Sequence, residues 1–244
     1  EITDRFHTHF QYTITAYGRD IEPGVPPIEQ SVETLYQLEA QVGAQRICWR
    51  YDPVLLTRAY TPQRHFETFD WLAQRLAGHV DRCIFSFVEI YRKLERNMPE
   101  LVVLSQGQMD ELARGFGAIA AKYGLYLQTC ATDVDYGAYG IHPSGCATLD
   151  IFGAANGIEF RKLKHKGMRK HCNCFEMRDI GAYDTCPNGC RYCYANQTPE
   201  RARANFRLHD PDSPLLLGHL QPGDKVRQAT QKSLLAPLQL QLDL

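Results

Sequence analysis

Cys186, Cys190 and Cys193 stand in the run CPNGCRYC, a C-x3-C-x2-C spacing with Tyr192 just before the last cysteine. Three thiolates so close in sequence can wrap one face of an iron–sulfur cubane and ligate three of its irons. Pro187 and Gly189 suit the tight loop that such wrapping needs. A cluster that only carries electrons usually has four cysteine ligands. Three with no adjacent fourth leave one iron open to chelate a substrate. The competing chemistry is structural zinc, which takes four ligands, commonly as C-x2-C pairs or with histidines. Cys190 and Cys193 would be one such pair, joined by Cys172, Cys174 or His171. The x3 spacing and Tyr192 are not needed for zinc, so the cluster is the stronger expectation.

The other cysteines divide in two. Cys130, Cys146, Cys172 and Cys174 form a complete four-thiolate set, suited to an auxiliary iron–sulfur cluster. Cys172 and Cys174 flank only Asn173, so both sulfurs can reach one metal. Against this, Cys130 and Cys146 could be small buried residues, a common use of free cysteine. Cys48 and Cys83 sit mid-strand among apolar residues and read as core. Five of the nine cysteines fall between Cys172 and Cys193, and the count is odd. Disulfide scaffolds belong to small secreted chains, so this pattern points to metal ligation in a reducing compartment, the cytoplasm.

The elements that must position these groups have a regular rhythm. Strands are expected at Phe10 to Ala16, Arg46 to Tyr51, Cys83 to Val88 and Leu125 to Thr129. Between them run amphipathic stretches: Ser31 to Val42, a helix opened by Thr61-Pro62 and running towards Gly78, and Gln108 to Tyr123. Successive βα units favour a parallel sheet. Four units make an open parallel sheet or a partial, TIM-like βα barrel. The expected fold is therefore α/β, with a C-terminal cysteine-rich iron–sulfur module. The regions are 1–130 for the βα repeats, 131–212 for the cysteine-rich part and 213–244 for a tail.

In such sheets ligands bind beyond the C-terminal strand ends. Those ends carry Thr15, Tyr17, Arg50, Asp52, Ser86 and Glu89. Arg50, Asp52 and Glu89 are the candidate catalytic residues. Arg50 and Asp52 lie two apart and share a face, where they could equally form an internal salt bridge at Pro53. The run Arg161 to His171 holds six Lys or Arg residues but no aromatic residue, so a solvated loop is a stronger expectation for it than a nucleic-acid site. A net charge of −1 gives no global field towards nucleic acid or an anionic membrane. No apolar run approaches the roughly 20 residues of a bilayer span.

C-x3-C-x-aromatic-C resembles the signature of radical S-adenosylmethionine enzymes. That resemblance implies a [4Fe-4S] cluster on Cys186, Cys190 and Cys193, with S-adenosylmethionine chelated at the open iron. It implies that Tyr192 packs beside the cluster or the adenine. Asp179 and Asp184, which bracket IGAY before the loop, would take a ribose hydroxyl or the methionine amine, or else cap turns; Thr15 is a further cofactor-side candidate. In most of that superfamily the loop follows the first strand, whereas here it follows the βα units. The arrangement is similar to an uncharacterised microbial family with a C-terminal cysteine cluster of this type, through TAYGRDIEP, WRYDP, FSFVEIYRK and DIGAYDTCPNGCRYCYAN. Members have a further N-terminal section, so a chain opening at Glu1 is expected to be a fragment. The implied activity is reductive cleavage of S-adenosylmethionine and hydrogen abstraction from an unknown small or macromolecular substrate, with electrons from a flavodoxin- or ferredoxin-type partner. The rivals are a zinc-stabilised binding protein without catalysis and a radical enzyme acting on nucleic acid.

Overall fold

The structure is a computed structural model and describes residues 2–162, 171–175, 177–230 and 233–236. Five strands form one all-parallel open sheet in the order β1-β2-β3-β4-β5: Phe10–Thr13, Ile47–Val54, Arg82–Phe87, Leu127–Thr129 and His142–Pro143. Sequential order of parallel strands is what repeated βα units produce. The helices are α1 (Ile2–Arg5), α2 (Ile28–Val42), α3 (Pro62–Leu76), α4 (Arg92–Asn97), α5 (Gln106–Tyr123), α6 (Leu149–Asn156) and α7 (Pro199–Phe206).

Local chemistry explains the long helices. Thr61 caps α3 by accepting from the Arg64 N–H, and Pro62 occupies the first turn, where its missing N–H costs nothing. Ser105 and Gln108 form a capping box at the start of α5, and Gly124 ends it in the left-handed region at φ 65°. The expected helix bounds were short by two or three residues at the N-termini of α2 and α5. Strand β2 runs through Asp52-Pro53 to Val54, because the chain continues to pair with β3 after a register shift. Beyond Cys130, where no strand was expected, β5 joins the sheet for two residues; α6 and α7 there, and α4 between β3 and α5, are short helices. The sheet thus crosses the expected boundary at residue 130.

The two faces of the sheet differ. Ile47, Trp49, Tyr51, Cys83, Phe85 and Leu127 face the helix layer, in one core with Leu35 of α2, Phe69 of α3 and Phe116 of α5. Trp49 stacks on Phe69 with ring centres 5.0 Å apart, and its Nε1 donates to the Ile14 carbonyl at 2.9 Å. The alternate residues point the other way, and they are mostly polar: Gln11, Cys48, Arg50, Asp52, Ser86 and Gln128. A period-2 strand with helices packed on one side leaves such a second face for chemistry. A smaller apolar cluster of Ile21, Leu55, Tyr60, Leu94 and Met98 lies at the C-terminal ends of β1 to β3.

Candidate functional site

The loop bearing Cys186, Cys190 and Cys193 is seated on that small cluster. Tyr192 packs against it with Tyr17 and Tyr91, edge-on to the Tyr17 ring at 6.0 Å. Its hydroxyl donates to Glu22, a buried carboxylate that also accepts from Thr15 Oγ1 at 2.8 Å. Burial pushes the Glu22 carboxyl up, against the lowering effect of its hydrogen bonds from Tyr192 and Thr15. Beneath it, Tyr17 accepts from the Leu55 N–H at 2.9 Å and donates to the Pro53 carbonyl at 2.8 Å, which ties β1 to β2.

Backbone contacts hold the loop from two sides. From the segment after β1, the Arg191 N–H donates to the Ile21 carbonyl at 2.9 Å, and the Gly24 N–H donates to the Asn188 carbonyl at 2.8 Å. A Cβ on Gly24 would lie 2.7 Å from the Asn188 backbone, so only glycine permits this crossing. From the α4 side, Lys93 donates to the Cys193 carbonyl at 2.6 Å and to the Asn196 carbonyl. Tyr91 donates to the Tyr192 carbonyl, and the Arg191 guanidinium donates to the Asn97 carbonyl and pairs with Glu100 at 2.6 Å.

Asp184 closes the base of the loop. Its N–H donates to the Ala195 carbonyl at 3.0 Å, and its buried carboxylate accepts from the Gln197 N–H and pairs with Arg201 of α7 at 3.1 Å. Asn196 donates to the Cys186 carbonyl at 2.7 Å, while its Oδ1 is buried without a partner among the described residues. Within this frame Cys186 is exposed and Cys190 and Cys193 are half-buried. Burial, the Glu22 charge and the neighbouring Cys193 and Cys186 push the Cys190 thiol up to about 12.

A comparison with protein families matches residues 1–195 to a domain of unknown function, DUF1848. The chain belongs to the DUF1848 family. The DUF1848 match takes in the whole sheet and all nine cysteines. Neither curated proteins nor solved structures gave a match.

A second thiol group lies on the polar face of the sheet. Cys130 follows β4, Cys146 lies in the loop after β5, and Cys174 comes from a segment laid over that loop. Cys146 and Cys174 Sγ atoms are 3.5 Å apart, and Cys146 packs against the buried Cys130. The Ala147 N–H donates to Cys174 Sγ at 3.4 Å, and the Phe175 N–H donates to the Ala147 carbonyl at 3.2 Å. Two glutamines hold the loop to the sheet: Gln128 donates to the Gly145 carbonyl at 2.9 Å and Gln11 to the Cys146 carbonyl at 2.5 Å. Cys48 and Ile84 pack beneath Cys130 and Cys146. The neighbouring Cys130 and Cys174 thiols, aided by the positive charge of Arg50, shift the Cys146 thiol down.

The expected catalytic residues are distributed unevenly. Arg50 donates through Nη1 to Gln11 Oε1 at 2.7 Å and through Nη2 to Asp52, and its charge faces Cys146 and Cys130. Asp52 also accepts from Ser86 Oγ. The guanidinium fork thus has protein partners on both arms, the internal salt bridge that the sequence left open. Glu89 is exposed in the turn after β3. Thr15 faces Glu22. Asp179 makes a local turn, accepting from the Gly181 N–H at 2.7 Å. Cys172 is half-buried beside Asn173. Most of the basic run, residues 163–170, lies outside the described residues.

Sequence reasoning missed Glu22, Tyr91, Lys93 and Gln11. Glu22, Tyr91 and Lys93 lie inside the stretches TAYGRDIEP and FSFVEIYRK, so position was available, but nothing in their types told that they would meet a loop about 100 or more residues away. No two cysteines form a disulfide. Among the described residues, no three His, Cys, Asp or Glu side chains already surround a metal-ion position. No described helix is long and apolar enough to cross a membrane.

Proposed function

We propose that the chain is a radical S-adenosylmethionine-type enzyme with a [4Fe-4S] cluster on Cys186, Cys190 and Cys193. The observation that carries this reading is the seat of the cysteine loop, closed over the C-terminal ends of β1 and β3, where parallel βα sheets bind ligands. We read the sheet as the wall of a partial βα barrel, on three grounds: sequential strand order, helices on one face, and a polar opposite face. Residues 131–212 then supply the cysteine-rich module.

The residues present fit the group. One loop offers three thiols within eight residues, and its backbone is fixed on both flanks before any metal arrives. The buried Asn196 Oδ1 leaves one polar atom at the loop base without a protein partner among the described residues. When bound and reduced, the cluster would supply electrons for reductive cleavage of S-adenosylmethionine and so a 5′-deoxyadenosyl radical for hydrogen abstraction. The protein's own part is positional. Glu22 and Tyr192 lock the loop to β1, Lys93 and Arg191 lock it to α4, and the Tyr17–Tyr60–Leu94 cluster excludes water beneath. Electrons would come from a flavodoxin- or ferredoxin-type partner in a reducing compartment. The substrate would lie on the polar face near Asp52 and Ser86.

The test is anaerobic reconstitution with iron and sulfide, followed by an assay for 5′-deoxyadenosine released from S-adenosylmethionine under dithionite. The wild-type chain should release it, and Cys190→Ala should release none, because its iron loses the only nearby thiolate. Equal release from both proteins would refute the assignment.

A further inference from the structure

Three thiols from three distant segments meet on the inner face of the sheet, and their meeting is built rather than incidental. Gln11 and Gln128, on opposite flanks of the polar face, each spend an amide on the loop that carries Cys146. The segment of Cys174 passes so close over that loop that a Cβ on Gly145 would lie 2.6 Å from the Asn173 and Cys174 backbone. The Ala147 N–H already points at Cys174 Sγ, the kind of contact that stabilises a metal-bound thiolate. Arg50, half-buried and paired with Asp52, stands on the same polar face of the sheet.

We infer that Cys130, Cys146 and Cys174 form a site for a single thiophilic divalent ion of the zinc class, separate from the Cys186–Cys193 loop. Sulfur spacing chooses one ion over a second iron–sulfur cluster. In a cubane each thiolate takes a different iron, which keeps the sulfurs well beyond contact. Thiolates on one tetrahedral ion, with bonds of about 2.3 Å, stand about 3.8 Å apart. Cys146 and Cys174 are at 3.5 Å, so a separation of a few tenths of an ångström admits the ion. As the side chains stand, with Cys146 and Cys174 in contact, no ion position is enclosed among the described residues. Binding would release the thiol protons to solvent. Three thiolates on a divalent ion leave one net negative charge, which the Arg50 guanidinium faces. Cys172, in the same segment as Cys174, is the nearest thiol in sequence for the fourth position.

The experiment measures zinc, iron and sulfide in the reduced full-length chain and in Cys146→Ser, Cys174→Ser and Cys190→Ser, with Co2+ as an optical probe of the zinc-free forms. Wild type and Cys190→Ser should hold about one zinc per chain, and with Co2+ should show thiolate-to-cobalt charge transfer and the intense visible bands of a tetrahedral site. Cys146→Ser and Cys174→Ser should lose at least about nine-tenths of that zinc and keep the loop's iron. Near-ultraviolet circular dichroism of the buried Trp49 reports whether each variant is folded. If one is not, the cobalt bands of Cys190→Ser decide alone: present, they support the site, and absent, they overturn it. Unchanged zinc in both folded variants, or loss of iron instead of zinc, would also overturn it.

Discussion

The two cysteine groups of this chain are built in opposite ways. In the first, Cys186, Cys190 and Cys193 come from one short loop, and the fold's task is to seat that loop on the strand ends through Glu22, Gly24, Tyr91 and Lys93. In the second, Cys130, Cys146 and Cys174 come from separate segments, and the sheet itself gathers them through Gln11, Gln128 and the Gly145 crossing. The first group is partly exposed, and the second is largely buried, with the Cys146 and Cys174 sulfurs 3.5 Å apart. Three thiolates on one loop suit a cluster with an open iron; a pair of thiolates already in contact suits one ion. A local loop can carry its ligands into many frames, whereas a gathered site exists only once the sheet has formed.

Acid should separate the two groups most. The floor under the first depends on His65, whose Nδ1 accepts from the Tyr51 hydroxyl at 2.8 Å while Nε2 donates to the Leu55 carbonyl at 2.9 Å. Burial pushes this histidine down to about 4. The unfolded chain takes up the proton near pH 6.5 and the folded chain only near 4, so the unfolded state binds more protons in that window. Stability should therefore be full above about pH 6.5 and fall by about 3 kcal/mol as the pH drops to 4. Denaturant melts of the wild type and His65→Gln across this range check it. The variant should show a flatter profile; parallel profiles would remove His65 from the account. The glutamines that hold the second group do not titrate.

A smaller effect comes from the two glycines over which the cysteine segments pass. Gly24→Ala and Gly145→Ala each drive a Cβ into backbone, and overpacking of this kind costs about 1–3 kcal/mol. Gly24→Ala should lower the iron retained by the loop and leave zinc untouched, and Gly145→Ala should do the reverse. Metal content of the two variants after gel filtration reads this out. Identical losses in both would mean that the groups are not independent.

Much of the frame was legible in the sequence, because strand alternation, caps and the Thr61-Pro62 start are local signals. The loop spacing was legible for the same reason. The single polar face was only half visible: Arg50 and Asp52 share it by alternation, but their pairing with each other and with Gln11 depends on β1 lying beside β2. The short helices α4 and α7 escaped because six and eight residues hold too little periodicity to read. Glu22 has no local signal that marks it as buried. It is buried because Tyr192, 170 residues later, covers it, and no window along the chain contains both residues. Cys130, Cys146, Cys172 and Cys174 were legible as a candidate four-thiolate set, but the contact of Cys146 with Cys174 required coordinates.

The decisive measurement is the iron and acid-labile sulfide bound by the anaerobically reconstituted full chain, read with the electron paramagnetic resonance of its reduced form before and after S-adenosylmethionine is added. The account predicts about four iron and four sulfide per chain beside about one zinc, and a reduced-cluster signal that changes when S-adenosylmethionine occupies the open iron. A chain that holds zinc alone with no sulfide, or a cluster signal indifferent to S-adenosylmethionine, would contradict it.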